Sequence, residues 1–446
     1  MKYSFILICS ICFVVNAKAQ TVYSIDQLVD SAMKNNIVIR NAYREIESAE
    51  EMRKETNLKY YPSVSGTALW FKSNKDMVKM NMNISDYIPT SIQTSLASSL
   101  PVEMLSALGS PTSISMMNHG AIASVTAVQP VYTGGVITNA NRLAEIGKEA
   151  KSLQLNMSEK DVEKTVTNYF WQLVSLKNKV KTIEMAQSTV NEICRDVEIA
   201  VNVGVTLKND LLQVQLRRNE QDSQMLKVKN GISVVKMLLA QYCGLTNVDF
   251  DVKYDEKLVS PIDIKTDHSK AVTFTTEYQL LGKQVEVAEL QRKMAYCQNL
   301  PSVAVGAGVN YHNLLDNDRV FGMVFATLSI PISDWWSGNH NVRRKKIEYE
   351  KALDEMNDKS ELLKIKMDNA WNNLQETWLQ MDVAKKSIEQ SEENLRLNRI
   401  CYKAGTATLS DLMQAQSLNQ QALDQYYDAY IDYQIKLLEY KQAIGL

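Results

Sequence analysis

Asn202-Val203-Gly204-Val205-Thr206-Leu207-Lys208-Asn209-Asp210-Leu211 and Lys403-Ala404-Gly405-Thr406-Ala407-Thr408-Leu409-Ser410-Asp411-Leu412 are two copies of one turn, 201 residues apart. Each follows a long run with the spacing of a helix, and each carries glycine six residues before aspartate. The same offset relates Pro130 to Pro331, Arg142 to Arg343, Glu149 to Glu350 and Gly244-Leu245 to Gly445-Leu446 without a gap. Upstream the repeat continues at an offset of 239: Ala49-Glu50, Arg53-Lys54 and Pro62-Ser63-Val64 recur as Ala288-Glu289, Arg292-Lys293 and Pro301-Ser302-Val303. The chain is therefore a tandem pair of one long unit. The first copy carries about 38 extra residues between Pro62 and Pro130, the difference between the two offsets.

Proline placement sets the secondary structure. Val131–Ser260 and Ile332–Leu446 contain none, which fits runs that are mostly helix, because an interior proline costs ~3 kcal/mol there. In the first run, positions 162, 166, 169, 173, 176, 180, 183, 187, 190, 194, 197 and 201 step by four and three and are apolar except Gln187. The positions 201 further on keep the stripe with three polar exceptions, Thr377, Ser391 and Asn398. A sustained period of 3.5 is a coiled-coil seam that needs a partner helix; an ordinary amphipathic core helix is the alternative. Helices over about 138–203 and 209–242, interrupted at Gly204, predict a long antiparallel helical hairpin, repeated around Gly405. Helices of this length, roughly 95 Å at ~1.5 Å per residue, predict a rod or a tube.

A different rhythm surrounds the other prolines. Val64, Gly66, Ala68 and Trp70 share one face of an extended segment, as do Val303, Val305, Ala307, Val309 and Tyr311, with Ser302, Ala304, Gly306, Gly308 and Asn310 opposite. Alternation over about ten residues, apolar against small or polar, predicts membrane-barrel strands. Less regular return strands are expected at about 121–129 and 320–330. Tyr60, Tyr61, Trp70, Phe71, Tyr132, Tyr311, Trp335 and Trp336 gather near the strand ends, as interfacial girdles do.

Lys2, the apolar run Phe5–Val15 and Ala17-Lys18-Ala19 read as a secretory leader cut before Gln20. No other stretch is apolar enough for a membrane helix. The net charge of −2 becomes about −4 without Lys2 and Lys18, which gives no reason to expect nucleic acid. Cys194, Cys243, Cys297 and Cys401 stand singly in helical or strand-flanking patterns and are expected as small buried apolar residues, a disulfide being the alternative. No phosphate loop, zinc spacing or nucleophile motif is present; the four histidines are scattered, and each is expected on the surface or in a loop. Neither an enzyme nor a cofactor is expected.

Two hairpins supply four strands, and open edges cannot stand in lipid. The sheet must close by association. Two chains give eight strands with a filled interior, whereas three give twelve and leave a hole. A homotrimer is the simplest closure, and it buries the helical seams as well.

The chain resembles the TolC-type outer-membrane efflux protein family over essentially all of its length after the leader. The resemblance rests on the two turns, where the family has valine-glycine-hydrophobic followed six residues after glycine by aspartate. The first copy fits; the second has Ala404 before the glycine and Thr406 after it. The resemblance implies an α+β membrane protein of strand-strand-helix-helix repeats, three chains forming a 12-stranded β-barrel in outer-membrane lipid that continues as a long α-helical barrel in the periplasm. It implies a passive exit duct docking to a periplasmic adaptor (membrane fusion) protein and an inner-membrane transporter. The segments would be leader 1–19, helical segment 20–61, β-hairpin with a long external loop 62–130, helical hairpin 131–245, equatorial segment 246–276, helical segment 277–300, β-hairpin 301–331 and helical hairpin 332–446. By the same resemblance Val203, Gly204, Val205, Gly405 and Thr406 form adaptor-docking tips. Asp210 and Tyr402 match two members of a closing latch whose arginine place holds Ala407. Asp411 matches one acidic pore ring, and Gln414 stands in place of the other. Helix-ending glycines and first-turn acids are the alternatives at these positions. A type I polypeptide-secretion duct shares the architecture, and an adhesin-like coiled-coil protein would explain the heptads alone. The insertion, roughly 72–119, holds Met77, Met80, Met82, Met104, Met116, Met117 and His119. Flexible packing or Cu(I) binding are the two readings of such a segment.

Overall fold

The computed structural model describes residues 21–75, 77–82, 88–90, 92, 112–116, 119–255, 258–314 and 317–446. The expected leader lies outside them, as do Met104 and Met117 of the methionine-rich insertion. In chain order the elements are β1 (Thr21–Tyr23), α1 (Ile25–Asn35), α2 (Ile37–Leu58), β2 (Ser63–Lys72), β3 (Val78–Met82), β4 (Thr112–Met116), β5 (His119–Tyr132), α3 (Val136–Asn202), α4 (Lys208–Cys243), β6 (Phe250–Val252), α5 (His268–Ala271), α6 (Thr276–Cys297), β7 (Ser302–Leu314), β8 (Asn317–Ser329), α7 (Asp334–Lys403) and α8 (Leu409–Ala443). Strand-strand-helix-helix thus occurs twice. The chain forms two compact units, one of Glu50–Ile146 with Glu286–Glu350 and one of Met1–Ala49, Gly147–Val285 and Lys351–Leu446.

The first unit holds a four-stranded sheet in the order β2-β5-β7-β8, every neighbour antiparallel. Its central pair, β5 with β7, joins the two sequence copies. Cross-strand partners share a face, so the register fixes both faces. One carries Val64, Gly66, Ala68 and Trp70 of β2, Ala121, Ala123, Val125 and Ala127 of β5, Val303, Val305, Ala307 and Val309 of β7, and Val320, Gly322, Val324 and Leu328 of β8. It has no charge along this stretch, and its large side chains are open: Val324 is 85% exposed and Trp70 is 70% exposed. The opposite face carries Ser63, Ser65, Thr67, Ser124, Thr126, Ser302 and Asn310, but also Phe321, Met323 and Phe325. Phe71 pairs with Gly120 on this second face, so it does not join the outward-facing aromatics. β8 reads poorly as an alternating strand because both of its faces are apolar.

Glycine is required where the backbone is tight. Gly306 lies beneath the Phe325 ring, and a Cβ there would come within 2.3 Å of it. Gly134, at φ 63°, has the Cys297 carbonyl 2.6 Å from where a Cβ would stand. The equivalent positions in the second copy, Trp335 and Trp336, are helical, and the Trp335 indole donates to the Asn299 carbonyl at 3.1 Å. The insertion is not wholly irregular: β3 and β4 pair antiparallel, Val78 opposite Met116 and Met82 opposite Thr112.

The second unit is helical. Val162, Val166, Phe170, Leu173 and Val174 of α3 pack with Val235, Leu239, Ala240 and Cys243 of α4, with Leu28 and Ala32 of α1, and with Tyr430 and Ile431 of α8. Each fully buried side chain of this size contributes roughly 1.5–3 kcal/mol. Met367, Trp371 and Leu374 of α7 pack on Tyr433, Leu437 and Tyr440 of α8. None of the twelve stripe positions on α3, nor of the twelve on α7, is exposed. Gln187, the break in the first stripe, donates to Asp222 of α4 at 2.8 Å, so it ties the same two helices by a polar contact. β1 pairs parallel with β6 and brings residues 250–252 beside residues 21–23. Ser24 and Gln27 form a capping box that starts α1 directly after β1.

Two expectations are corrected here. Cys194 and Cys243 are buried, but Cys297 is only partly so and Cys401 is exposed on the last turn of α7; all four thiols are free. His268 is not a surface residue. Its Nδ1 lies 2.7 Å from Asp368 and its Nε2 lies 3.1 Å from the Tyr440 hydroxyl, which accepts the Thr266 N–H. The imidazole pins residues 266–271 to α7 and α8.

Candidate functional site

The two repeated turns close the helical hairpins. Gly204 has φ 80° and Gly405 has φ 73°. In the first turn Val205 N–H reaches the Ala200 carbonyl at 2.8 Å and Gly204 N–H reaches that of Val201 at 3.0 Å. In the second, Thr406 N–H reaches Cys401 at 2.9 Å and Gly405 N–H reaches Tyr402 at 3.0 Å. Both are Schellman-type caps, in which glycine supplies the left-handed residue. No atom lies within 4 Å of a Cβ built on either glycine. Conformation, not crowding inside the chain, requires glycine here.

The turns differ in chemistry. Val203, Val205 and Leu207 are all exposed, Val205 at 79%. Their counterparts are Ala404, Thr406 and Thr408, and Leu409 next to them is buried. The first turn is an apolar knob and the second a small polar one.

Four helices bring the turns together. Val190, Ile193, Cys194 and Val197 of α3, Val214 of α4, and Leu409 and Leu412 of α8 form one cluster, with Leu395 and Tyr402 of α7 against it. Polar contacts reinforce it: Glu192 of α3 pairs with Arg399 of α7, and Arg217 of α4 donates to Ser417 of α8 at 3.1 Å. Further along the same helices Thr182 donates to Asp424 at 2.6 Å and Lys179 pairs with Asp428 at 3.1 Å. Each of these four ties one sequence copy to the other.

Asp210 accepts a short hydrogen bond from Thr206 of its own turn. Among the described residues no hydrogen bond joins it to Tyr402. The two are nonetheless neighbours: burial first, then the carboxylates of Asp210 and Asp196, push the Tyr402 hydroxyl above its ordinary pKa. It therefore stays a neutral donor facing two acids. Ala407 offers no cation, whereas Arg399, one turn before Tyr402, holds Glu192. Sequence reasoning missed Arg399 because it lies outside the turn motif. Asp411 is the third residue of α8 and completes a capping box with Thr408, whose N–H and hydroxyl both donate to it, at 3.0 and 2.7 Å. These two donors hold its carboxyl below the usual range. Gln414 is exposed one turn further on.

A second stripe was also missed. Leu362, Ile365, Leu379, Val383, Leu397 and Ile400 of α7 keep a strict heptad register, and all are exposed. Leu212, Leu216, Leu226 and Met237 do the same on α4. Asn369, Asn372, Glu376, Lys386, Gln390 and Glu393 occupy the remaining positions of the α7 register and hide it from a simple count. Among the described residues no helix is long and apolar enough to cross a membrane.

The family described as "Outer membrane efflux protein" matches residues 282–446 in sequence. No curated protein matches the chain. The fold is similar to that of the outer membrane channel CmeC of Campylobacter jejuni (TM-score 0.73, 14% identity, 94% of this chain and 85% of that one). It is similar to the outer membrane protein VceC of Vibrio cholerae (TM-score 0.70, 13% identity, 94% and 96%). It is also similar to the outer membrane channel MtrE of Neisseria gonorrhoeae, crystallised in its open state (TM-score 0.68, 14% identity, 94% and 88%). By sequence the chain is similar to the outer membrane efflux proteins over residues 282–446, and over nearly its whole length it shares the fold of these channels.

Proposed function

We propose that three copies of this chain form an outer-membrane exit duct that works passively with a periplasmic adaptor and an inner-membrane pump. The observation that carries this reading is the sheet with an exposed face that is uncharged from Val64 to Trp70 and from Val303 to Val309, and with two open edges. β2 and β8 are those edges, and they run in opposite directions. β8 of one copy against β2 of the next therefore continues the antiparallel order without interruption, and closure at twelve strands leaves a lumen. The exposed heptad stripes on α4 and α7 are the surfaces that neighbouring copies would bury.

The tips are the proposed docking site, with Val203, Gly204, Val205, Gly405 and Thr406 meeting the adaptor. The adaptor surface that suits the first tip is an apolar pocket sized for Val203, Val205 and Leu207. Gly204→Trp and Gly405→Trp are expected to assemble as wild type does, because nothing inside the chain opposes the added bulk. The left-handed φ adds strain of about 1–3 kcal/mol per site. Both variants are expected to lose drug export from cells while keeping single-channel conductance in bilayers. Full export by either would remove that tip from the docking site.

Asp210 and Tyr402 are the proposed latch and Asp411 the proposed pore acid, with Gln414 uncharged beside it. Asp411→Ala removes the partner of Thr408 as well as a charge. In a planar bilayer, lowered cation selectivity is the expected result, measured as reversal potential in a salt gradient. Unchanged selectivity would leave Asp411 as a helix cap alone.

A further inference from the structure

The helices next to the sheet carry their charges in a constant order. α2 runs towards the sheet, with the base nearer to it: Glu50 pairs with Arg53 and Glu51 with Lys54, each at 2.8 Å. α6 also runs towards the sheet, and Glu289 precedes its partner Lys293, 2.8 Å away. α7 runs away from it, and there the order is reversed: Lys345 precedes Glu348 at 2.6 Å and Lys346 precedes Glu350 at 3.5 Å. On α3, which also runs away, Arg142 stands three residues before Glu145. Helix energetics does not explain the reversal, because a pair with its acid on the N-terminal side is the more stable one. Further along α7 the pairs Glu355–Lys359, Glu361–Lys364, Asp382–Lys386 and Glu393–Arg396 return to that order. What the pairs beside the sheet share is a base on the sheet side, whichever way the helix runs.

At the same end of the sheet stand Tyr60, Tyr61, Tyr132, Trp335 and Trp336, all exposed. The Tyr60 hydroxyl donates to Thr138 at 3.1 Å, and Arg142 is one turn further along α3. Lys345 donates to Gln291 at 3.1 Å, which sets the bases of α7 beside those of α6. Lys59, Arg142 and Arg343 are exposed and, among the described residues, have no ion-pair partner. The acids on the sheet side of these pairs are Glu55 in α2 and Asp334 at the start of α7. We propose that the bases form a band that binds the phosphate head groups of anionic phospholipid in the leaflet facing the periplasm. The inference rests on the duct reading, which puts the apolar sheet face in lipid. Hydrocarbon, aromatic girdle and phosphate then follow one another as the apolar face, the five rings and the bases do. The head-group layer is on the order of 5–8 Å deep on each side, and Lys and Arg stems reach across such a layer while their charges stay wet. The phosphate of a zwitterionic lipid carries its own cation, whereas that of an anionic lipid is free to take a guanidinium or ammonium. The paired acids, set further from the bilayer, hold the bases without repelling the phosphates.

The test uses the full-length protein in phosphatidylcholine vesicles at low salt, with part of the lipid replaced by brominated phosphatidylglycerol or brominated phosphatidylcholine. In a Trp70→Phe background, Trp335 and Trp336 are the remaining tryptophans of the unit that holds the sheet, and their quenching reads the lipid beside the band. Phosphatidylglycerol is expected to be preferred about fivefold, the effect of one Lys or Arg at an anionic surface. Lys59→Gln, Arg142→Gln and Arg343→Gln together should bring the two lipids close to equality, and each alone should lower the preference. Lys59→Arg, Arg142→Lys and Arg343→Lys together should keep it. Lys359→Gln with Lys364→Gln removes two charges further along α7 and should leave it unchanged. Equal quenching by the two lipids in the parent protein overturns the band. So does a preference that survives the single and triple Gln variants, or one that the Lys359 and Lys364 control loses. In all three cases the protein still inserts and the duct reading stands. Failure of the parent protein to insert into any vesicle overturns the duct reading, and the band falls with it.

Discussion

Replacing Leu379 and Val383 together by glutamate is expected to leave each chain helical and to abolish its assembly. Both residues belong to the exposed α7 stripe, at 64% and 63% exposure, one helical turn apart. Within one chain they touch water, so the substitution costs the isolated fold almost nothing. At a subunit seam the same carboxylates would lose water without gaining a partner. Burial of an unpaired charge costs several kcal/mol, and a closed ring repeats that cost at every seam. Light scattering of detergent-extracted protein is expected to fall from three chains to one, with the helical circular dichroism unchanged. A variant that still assembles would mean that the stripe faces something other than a neighbouring chain. Two aspartates at Phe170 and Leu173, by contrast, would unfold the helical unit itself, since both are fully buried.

Val324→Arg is expected to prevent insertion. Val324 stands on the apolar face of β8 opposite Ala307 and is the most open large apolar residue of the sheet. An arginine on the lipid face costs roughly 2–4 kcal/mol at the bilayer midplane, incurred once per chain. Thr327→Arg, three residues on and on the opposite face, is the control and is expected to insert normally. Membrane fractionation reads both. The reverse outcome, with Val324→Arg inserted and Thr327→Arg excluded, would exchange the two faces.

The helical hairpins are legible in sequence because nothing competes with their signal: proline is absent, the heptads are long, and a left-handed glycine marks each turn. The strands of β7 read clearly for a related reason, since alternation of valine with glycine and serine has one interpretation on a pleated sheet. β8 does not, because Phe321, Met323 and Phe325 occupy the face where polar residues are expected. β1 and β6 are three residues each, too short for any periodicity, and they exist because each supplies the other's hydrogen bonds. The role of His268 was hidden for another reason: its partners, Asp368 and Tyr440, lie 100 and 172 residues away. The outer stripe of α7 was hidden by its polar half, which a helix tolerates at a surface contact and a core does not. At the turns, the sequence motif locates the glycines and aspartates, but not that Asp411 is held by its own cap while Asp210 is held by Thr206.

The unlike turns bear on the stoichiometry of whatever meets them. In the proposed trimer six tips would alternate, an apolar knob beside a small polar one, and the rim would have threefold rather than sixfold symmetry. A collar of six identical fingers would find every second seat mismatched. A matching collar either contacts only one kind of tip or divides its fingers into two alternating classes.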